Sequence, residues 1–184
     1  VRLSAFVKAG GHLILGPRSG QRDAYDRLQP RRQPGPLADL LGGQVEQLYA
    51  LDEPVAVGTG TARIWAEDLT AKAPDTQVLL RYGKANGWLD GHAAALTRQV
   101  GKGRITYVGA LIDPDLMKTL IDDALKGAGV ARDFAVPADV ELMTREGDGR
   151  SIVILINHGK EARSVTLPET MTDILEGGTK QAVT

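Results

Sequence analysis

Apolar positions at the start of the chain, Leu3, Phe6 and Val7, recur at helical spacing and stop at Gly10-Gly11, which predicts an opening helix with residue 1 already inside it. His12 to Leu15 is a nearly unbroken apolar run between glycines and predicts a strand covered on both faces by helices. "RDAYDRL" predicts a short helix. "QPRRQPGP" then halts regular structure, because three prolines in eight residues remove backbone donors and push the residues before them toward extended shapes. Pro36 suits a first helical position, and "PLADLLGG" closes a short helix on Gly42. "QVEQLYAL" alternates apolar and polar at period two, as a half-exposed strand does, and "TARIWAEDL", "QVLLRYG" and "HAAALTRQV" predict further strands.

The clearest pattern is "AALTRQVGKGRITYVGALIDPDLMKTLIDDALKGAG". Two β-type runs flank Gly101-Lys102-Gly103 and predict a tight hairpin. The second run leads into a helix with Asp113 as its cap and Pro114 as its first residue. Leu116, Met117, Leu120, Ile121, Ala124 and Leu125 form its apolar stripe, which predicts packing on a sheet through Leu116, Leu120 and Ile121. After Val130 the pattern is purely β. "DVELMTREGDGRSIVILINHGKEARSVTLP" predicts three strands with turns at Gly147-Asp148-Gly149 and His158-Gly159-Lys160, and "TDILEGGTKQAVT" one more hairpin. A boundary is expected near Phe134, with an α/β domain over 1–134 and a small antiparallel β domain over 135–184.

Composition narrows the function classes. The 184 residues are 42% hydrophobic and 24% charged, as in a folded globular chain. A net charge of −1 gives no excess positive field for nucleic acid or anionic lipid, so neither is an expected partner. With no cysteine, disulfides, thiolate metal sites and cysteine nucleophiles all drop out. The longest aliphatic run, Ile152 to Ile156, is far short of the ~20 residues of a membrane-spanning helix. The chain is expected to be cytoplasmic, although an upstream signal peptide fits a sequence that starts within a helix and ends on the unpartnered strand "TKQAVT".

Candidate chemistry is sparse. "GPRSG" at 16–20 matches neither a phosphate-binding loop nor the Gly-x-Ser-x-Gly elbow that would make Ser19 a nucleophile. It reads as a strand-to-loop turn in which Arg18 pairs locally. "GTGTAR" at 58–63 and "GKGRIT" at 101–106 lack the third glycine and following helix of a dinucleotide site. His12, His92 and His158 are isolated and show no metal-ligand spacing. Asp52-Glu53, Glu67-Asp68 and Asp122-Asp123 could supply the two carboxylates of a glycosidase, or lie on solvated faces. Trp65 and Trp88 could stack on sugars or anchor packing. Residue chemistry alone therefore points to a non-catalytic α/β domain with a β appendage, with no catalytic, cofactor-binding or metal residue to nominate and no cofactor.

Taken together and in order, "VKAGGHLILGPRSG", "PGPLADLLGG", "VEQLYALDEPV", "LLRYGKANGWLDGHAAALTRQVGKGRITYVGALID" and "SIVILINHGKEARSVTLP" resemble the C-terminal half of glycoside hydrolase family 42 β-galactosidases. The resemblance implies a trimerisation domain of flavodoxin-like or class I glutamine-amidotransferase-like three-layer α/β fold, truncated at its N-terminus, followed by an incomplete β-sandwich. It also implies a homotrimer, and a parent enzyme whose retaining hydrolysis of terminal β-D-galactosides uses two glutamates on an N-terminal barrel, the acid/base following an asparagine. No Asn-Glu dipeptide occurs here, so no catalytic residue carries over and the chain alone is expected to be inactive, meeting β-galactoside only through the parent's barrel. The other reading is a carbohydrate-binding module built on Trp88 or the β domain.

Overall fold

The computed structural model describes residues 2–130 and 134–184; Val1, expected inside the first helix, and residues 131–133, beside the expected boundary, lie outside the described residues. The chain divides into two compact units, Val1–Val130 and Ala131–Thr184.

In the first unit, helix α1 (Arg2–Lys8) is followed by strand β1 (His12–Leu15), a single 3-10 turn (Gly35–Leu37) and a one-turn helix α2 (Ala38–Leu41). Gly42, at φ 65, caps α2 as the sequence predicts. Strands β2 (Gly43–Ala50), β3 (Val55–Val57), β4 (Gly60–Ala71), β5 (Gln77–Arg81), β6 (Ala93–Val100), β7 (Gly103–Val108) and β8 (Ala110–Ile112) precede helix α3 (Pro114–Gly127). The eight strands form one sheet in the order β1-β7-β6-β4-β2, with β3 and β8 also on β4 and β5 on β6. Successive residues of a strand feed different apolar clusters: Ala66 and Ala94 join Val57, Tyr82 and Leu116, whereas Leu69 and Ala93 join Leu41, Leu96, Ile105 and Tyr107.

The β6–β7 hairpin forms where predicted, with Val100 opposite Gly103. A side chain at Gly103 would run into the backbone oxygens of Val7 and Gly11, so only glycine lets α1 and its turn sit against this hairpin. The predicted second run does not continue straight into the helix. It breaks at Gly109, whose N–H donates to Ala94 O (2.8 Å) while its carbonyl accepts from Glu67 N–H (2.7 Å), and the chain leaves β6 to pair with β4 as β8.

Several expectations are corrected. β1 pairs in parallel with β7 at the sheet's edge, and its four residues are half-buried, not enclosed by helices on both faces. "RDAYDRL" is a turn closed by an Arg22–Leu28 bridge, because the Asp23 carboxylate accepts from the N–H groups of Tyr25 (2.8 Å) and Arg27 (3.0 Å) and diverts the backbone from helix. In α3 Leu116 is buried and Leu120 half-buried over the sheet, whereas Ile121, also expected to pack there, is exposed together with Met117. Asp113 accepts from Leu116 N–H (2.9 Å) as predicted but also from Thr61 N–H (2.5 Å), which ties the first turn to β4 and concentrates the helix's burial there. The described residues form a mixed sheet with few helices and one parallel pair.

The second unit holds two antiparallel hairpins, β9 (Val140–Gly147) with β10 (Arg150–Asn157) and β11 (Val165–Thr172) with β12 (Thr179–Val183). These small sheets stand where a β-sandwich was expected. No helix among the described residues is long and apolar enough to cross a membrane.

Candidate functional site

The strand-to-loop turn after β1 is built on a buried acid. Along β4, period-two alternation puts Trp65, Glu67 and Leu69 on one face of the sheet, and Glu67 is fully buried there. Both its oxygens accept: Oε1 from Arg18 N–H (2.9 Å) and Trp65 Nε1–H (3.0 Å), Oε2 from Tyr107 O–H (2.7 Å). The Tyr82 hydroxyl closes the other side, donating to Glu67 C=O (2.9 Å) and accepting its N–H (3.1 Å). Burial first, and then the neighbouring Glu67, pushes the Tyr107 and Tyr82 phenols well above their usual range, so both remain O–H donors. The result is a buried carboxyl supplied with donors instead of a cation.

What this network holds is Arg18. Its backbone is left-handed (φ 64), Nε donates to Gln21 Oε1 (3.0 Å), and the guanidinium carbon lies 5.2 Å from the centre of the Trp65 ring. Local pairing of Arg18 is thus as expected, but the anchor, Glu67, was read only as half of an acidic pair. The signal was present: Glu67 shares its phase with Trp65 and Leu69, while Asp68 points the other way and meets His92 Nδ1 (2.9 Å). Ser19 has no base beside its hydroxyl among the described residues.

The remaining candidates do not converge. His12 Nε2 meets Thr106 Oγ1 (2.9 Å), which meets Thr97 Oγ1 (2.9 Å), on the wall of a cavity of about 260 Å³ between the sheet and α3. Burial, and then Arg104, lowers the His12 pKa and keeps the ring neutral at neutral pH, and no carboxylate among the described residues is bonded to it as the acid of a nucleophile–base–acid relay would be. His158 pairs with Glu141 (2.8 Å) in the second unit. Trp88 is 58% exposed and packs edge-on against Tyr49, on a loop braced by Asp90 accepting from Asn86 N–H (2.7 Å) and Asn86 donating to Ala56 O (3.0 Å). In "QPRRQPGP", Arg31 pairs with Asp39 (2.8 Å) and Arg32 with Glu46 (3.1 Å), straps that hold the loop to its own unit. No group of three or more His, Asp or Glu among the described residues is placed to hold a metal.

The described residues thus define a mixed-sheet unit with few helices, followed in sequence by two small antiparallel hairpins. Residues 1–131 match the family model for the β-galactosidase trimerisation domain, and residues 139–182 that for the β-galactosidase C-terminal domain. The chain belongs to the glycoside hydrolase family 42 β-galactosidases. It is 34% identical to the β-galactosidase Bga of Halorubrum lacusprofundi over 79% of this chain and 23% of that protein, and 34% identical to BglY of Alicyclobacillus acidocaldarius over 91% and 26%. The solved structure of a β-galactosidase from Halorubrum lacusprofundi superposes with a TM-score of 0.73 at 31% identity, covering 97% of this chain and 27% of that one. A β-galactosidase from Bacillus circulans shares the fold at TM-score 0.87 and 23% identity, over 99% of this chain and 28% of its own. The chain spans about a quarter of the length of the relatives it matches.

Proposed function

We propose that this chain is the assembly and architectural region of a β-galactosidase, non-catalytic itself, which holds three copies together while a barrel elsewhere in the polypeptide hydrolyses terminal β-D-galactosides. The observation that carries this reading is the match of residues 1–131 to a trimerisation domain. It is supported by the fate of the acidic pairs, since Glu67 is consumed by a buried network and Asp68 by His92. The fold proposed for 1–134 is the sheet-bearing part of a flavodoxin-like or glutamine-amidotransferase-like three-layer domain, its N-terminal part lying upstream. The parallel β1–β7 pair supports this. Residues 135–184 are proposed as part of a β-sandwich. Light scattering on the chain tests the assembly, with an expected mass near three times 19.6 kDa; a strict monomer at micromolar concentration overturns it. A chromogenic β-galactoside should not be turned over, because a retaining site needs two facing carboxyl groups. The exposed, braced Trp88 favours carbohydrate binding as a second reading. A saturable change in tryptophan fluorescence on adding galactose, lost in Trp88→Phe, would favour it.

A further inference from the structure

Two non-glycine residues with left-handed backbone flank one tryptophan. Arg18 (φ 64) stands over the Trp65 ring, and Ile64 (φ 70) immediately precedes Trp65 on an irregular stretch of β4. A left-handed conformation is costly for a side chain with a β-carbon and most costly for a branched one, so it persists only where the surroundings enforce it. For Arg18 the enforcement is visible: the buried Glu67 carboxyl takes its N–H, and Gln21 takes its Nε. The two terminal guanidinium nitrogens have no partner among the described residues, in contrast to Arg22, Arg27, Arg31 and Arg32, each paired with an acid. Ile64 is 65% exposed beside it. The Ile64 carbonyl accepts Leu51 N–H (2.9 Å), and Leu51 runs directly into Asp52 and Glu53, an exposed acid pair that also has no partner among the described residues. Trp65 with the arginine fork over it, the exposed Ile64 and the segment leading to the unpaired acid pair are thus all joined at the end of β2 and β4, where Ala50 pairs with Trp65 and Leu51 bonds Ile64. Arginine and aromatic anchors are the residues that dominate protein interfaces.

We propose that this patch is the contact through which copies of the chain associate, the Arg18 fork of one copy gripping the Asp52-Glu53 carboxylates of the next. The inference rests on the self-association reading and names its contact. A cyclic assembly closes head to tail and needs two different, complementary patches on each copy. A fixed guanidinium plane and a carboxylate pair meet that need through bidentate hydrogen bonds that lysine cannot reproduce. The test is light scattering and sedimentation of the full chain, with far-UV circular dichroism confirming that each variant is folded. Arg18→Glu, and separately Asp52→Arg/Glu53→Arg, should each raise the dissociation constant about tenfold or more, and Arg18→Lys should weaken assembly measurably. The chain carrying all three reversals should assemble again. Unchanged assembly of Arg18→Glu, or no recovery in the triple reversal, overturns the contact while the self-association reading stands. Failure of the unmodified chain to assemble overturns both.

Discussion

Replacing Glu67 by alanine tests whether the buried carboxyl organises the end of the sheet. Three donors lose their acceptor: the Tyr107 hydroxyl, the Trp65 indole and the Arg18 amide. Tyr107 is fully buried and cannot turn to water, so stranding its hydroxyl costs about 1–3 kcal/mol. Trp65 is half-buried and Arg18 exposed, so their groups recover part of their loss by hydration. With the cavity left by the missing side chain, the stranded donors and the lost packing together should destabilise by about 3–5 kcal/mol. For a unit of this size the melting temperature should fall on the order of 10 °C. Glu67→Gln keeps one acceptor oxygen for Arg18 and Trp65 and sets an amide against Tyr107, whose hydroxyl can rotate to accept. Its loss should be about 1–2 kcal/mol. Thermal unfolding followed by circular dichroism at neutral pH gives the ranking directly. An alanine variant melting within about 2 °C of the parent would show that the network contributes nothing to stability and that the left-handed turn is held by something else.

Gly103→Ala should destabilise the first unit by at least about 1–3 kcal/mol, read from chemical denaturation, because the new methyl meets the backbone oxygens of Val7 and Gly11 and no flexible side chain can yield. Leu116→Ala should cost about 2–5 kcal/mol and Ile121→Ala well under about 1 kcal/mol, since only Leu116 is buried; equal losses would mean the helix packs along its whole length. In the second unit, the Lys180 ammonium first, then the N–H groups of Glu176 and Leu175, lower the Asp173 pKa to about 2. A depressed folded pKa adds stability that is complete above the usual carboxyl value and is lost as pH falls through about 2. Carbon-13 NMR of the Asp173 carboxyl should titrate near that value, and a midpoint close to 4 would refute the Lys180 contact.

Local rules were enough to read most elements from the sequence. The period-two run became β2 and the other strand-like runs β4, β5 and β6, Gly101-Lys102 closed its hairpin, Asp113 and Pro114 started α3, and Gly42 ended α2, because each depends on a few neighbouring residues and on backbone chemistry that acts at short range. The same reach explains the failures. Asp23 could cap a helix or fold back on its own turn, and only the Arg22–Leu28 bridge selects the second. The stripe of α3 states which residues are apolar but not which meet a partner; Thr61, distant in sequence, holds the first turn and leaves Ile121 in solvent. Gly109 redirects the chain from β6 to β4 through hydrogen bonds to Ala94 and Glu67 that no local window contains. Glu67 shows the division most plainly. Its phase on β4 is written in "WAED", yet its role required Arg18, Tyr82 and Tyr107 to arrive from three other segments. A carboxyl group leaves water only where tertiary structure brings enough donors to replace it.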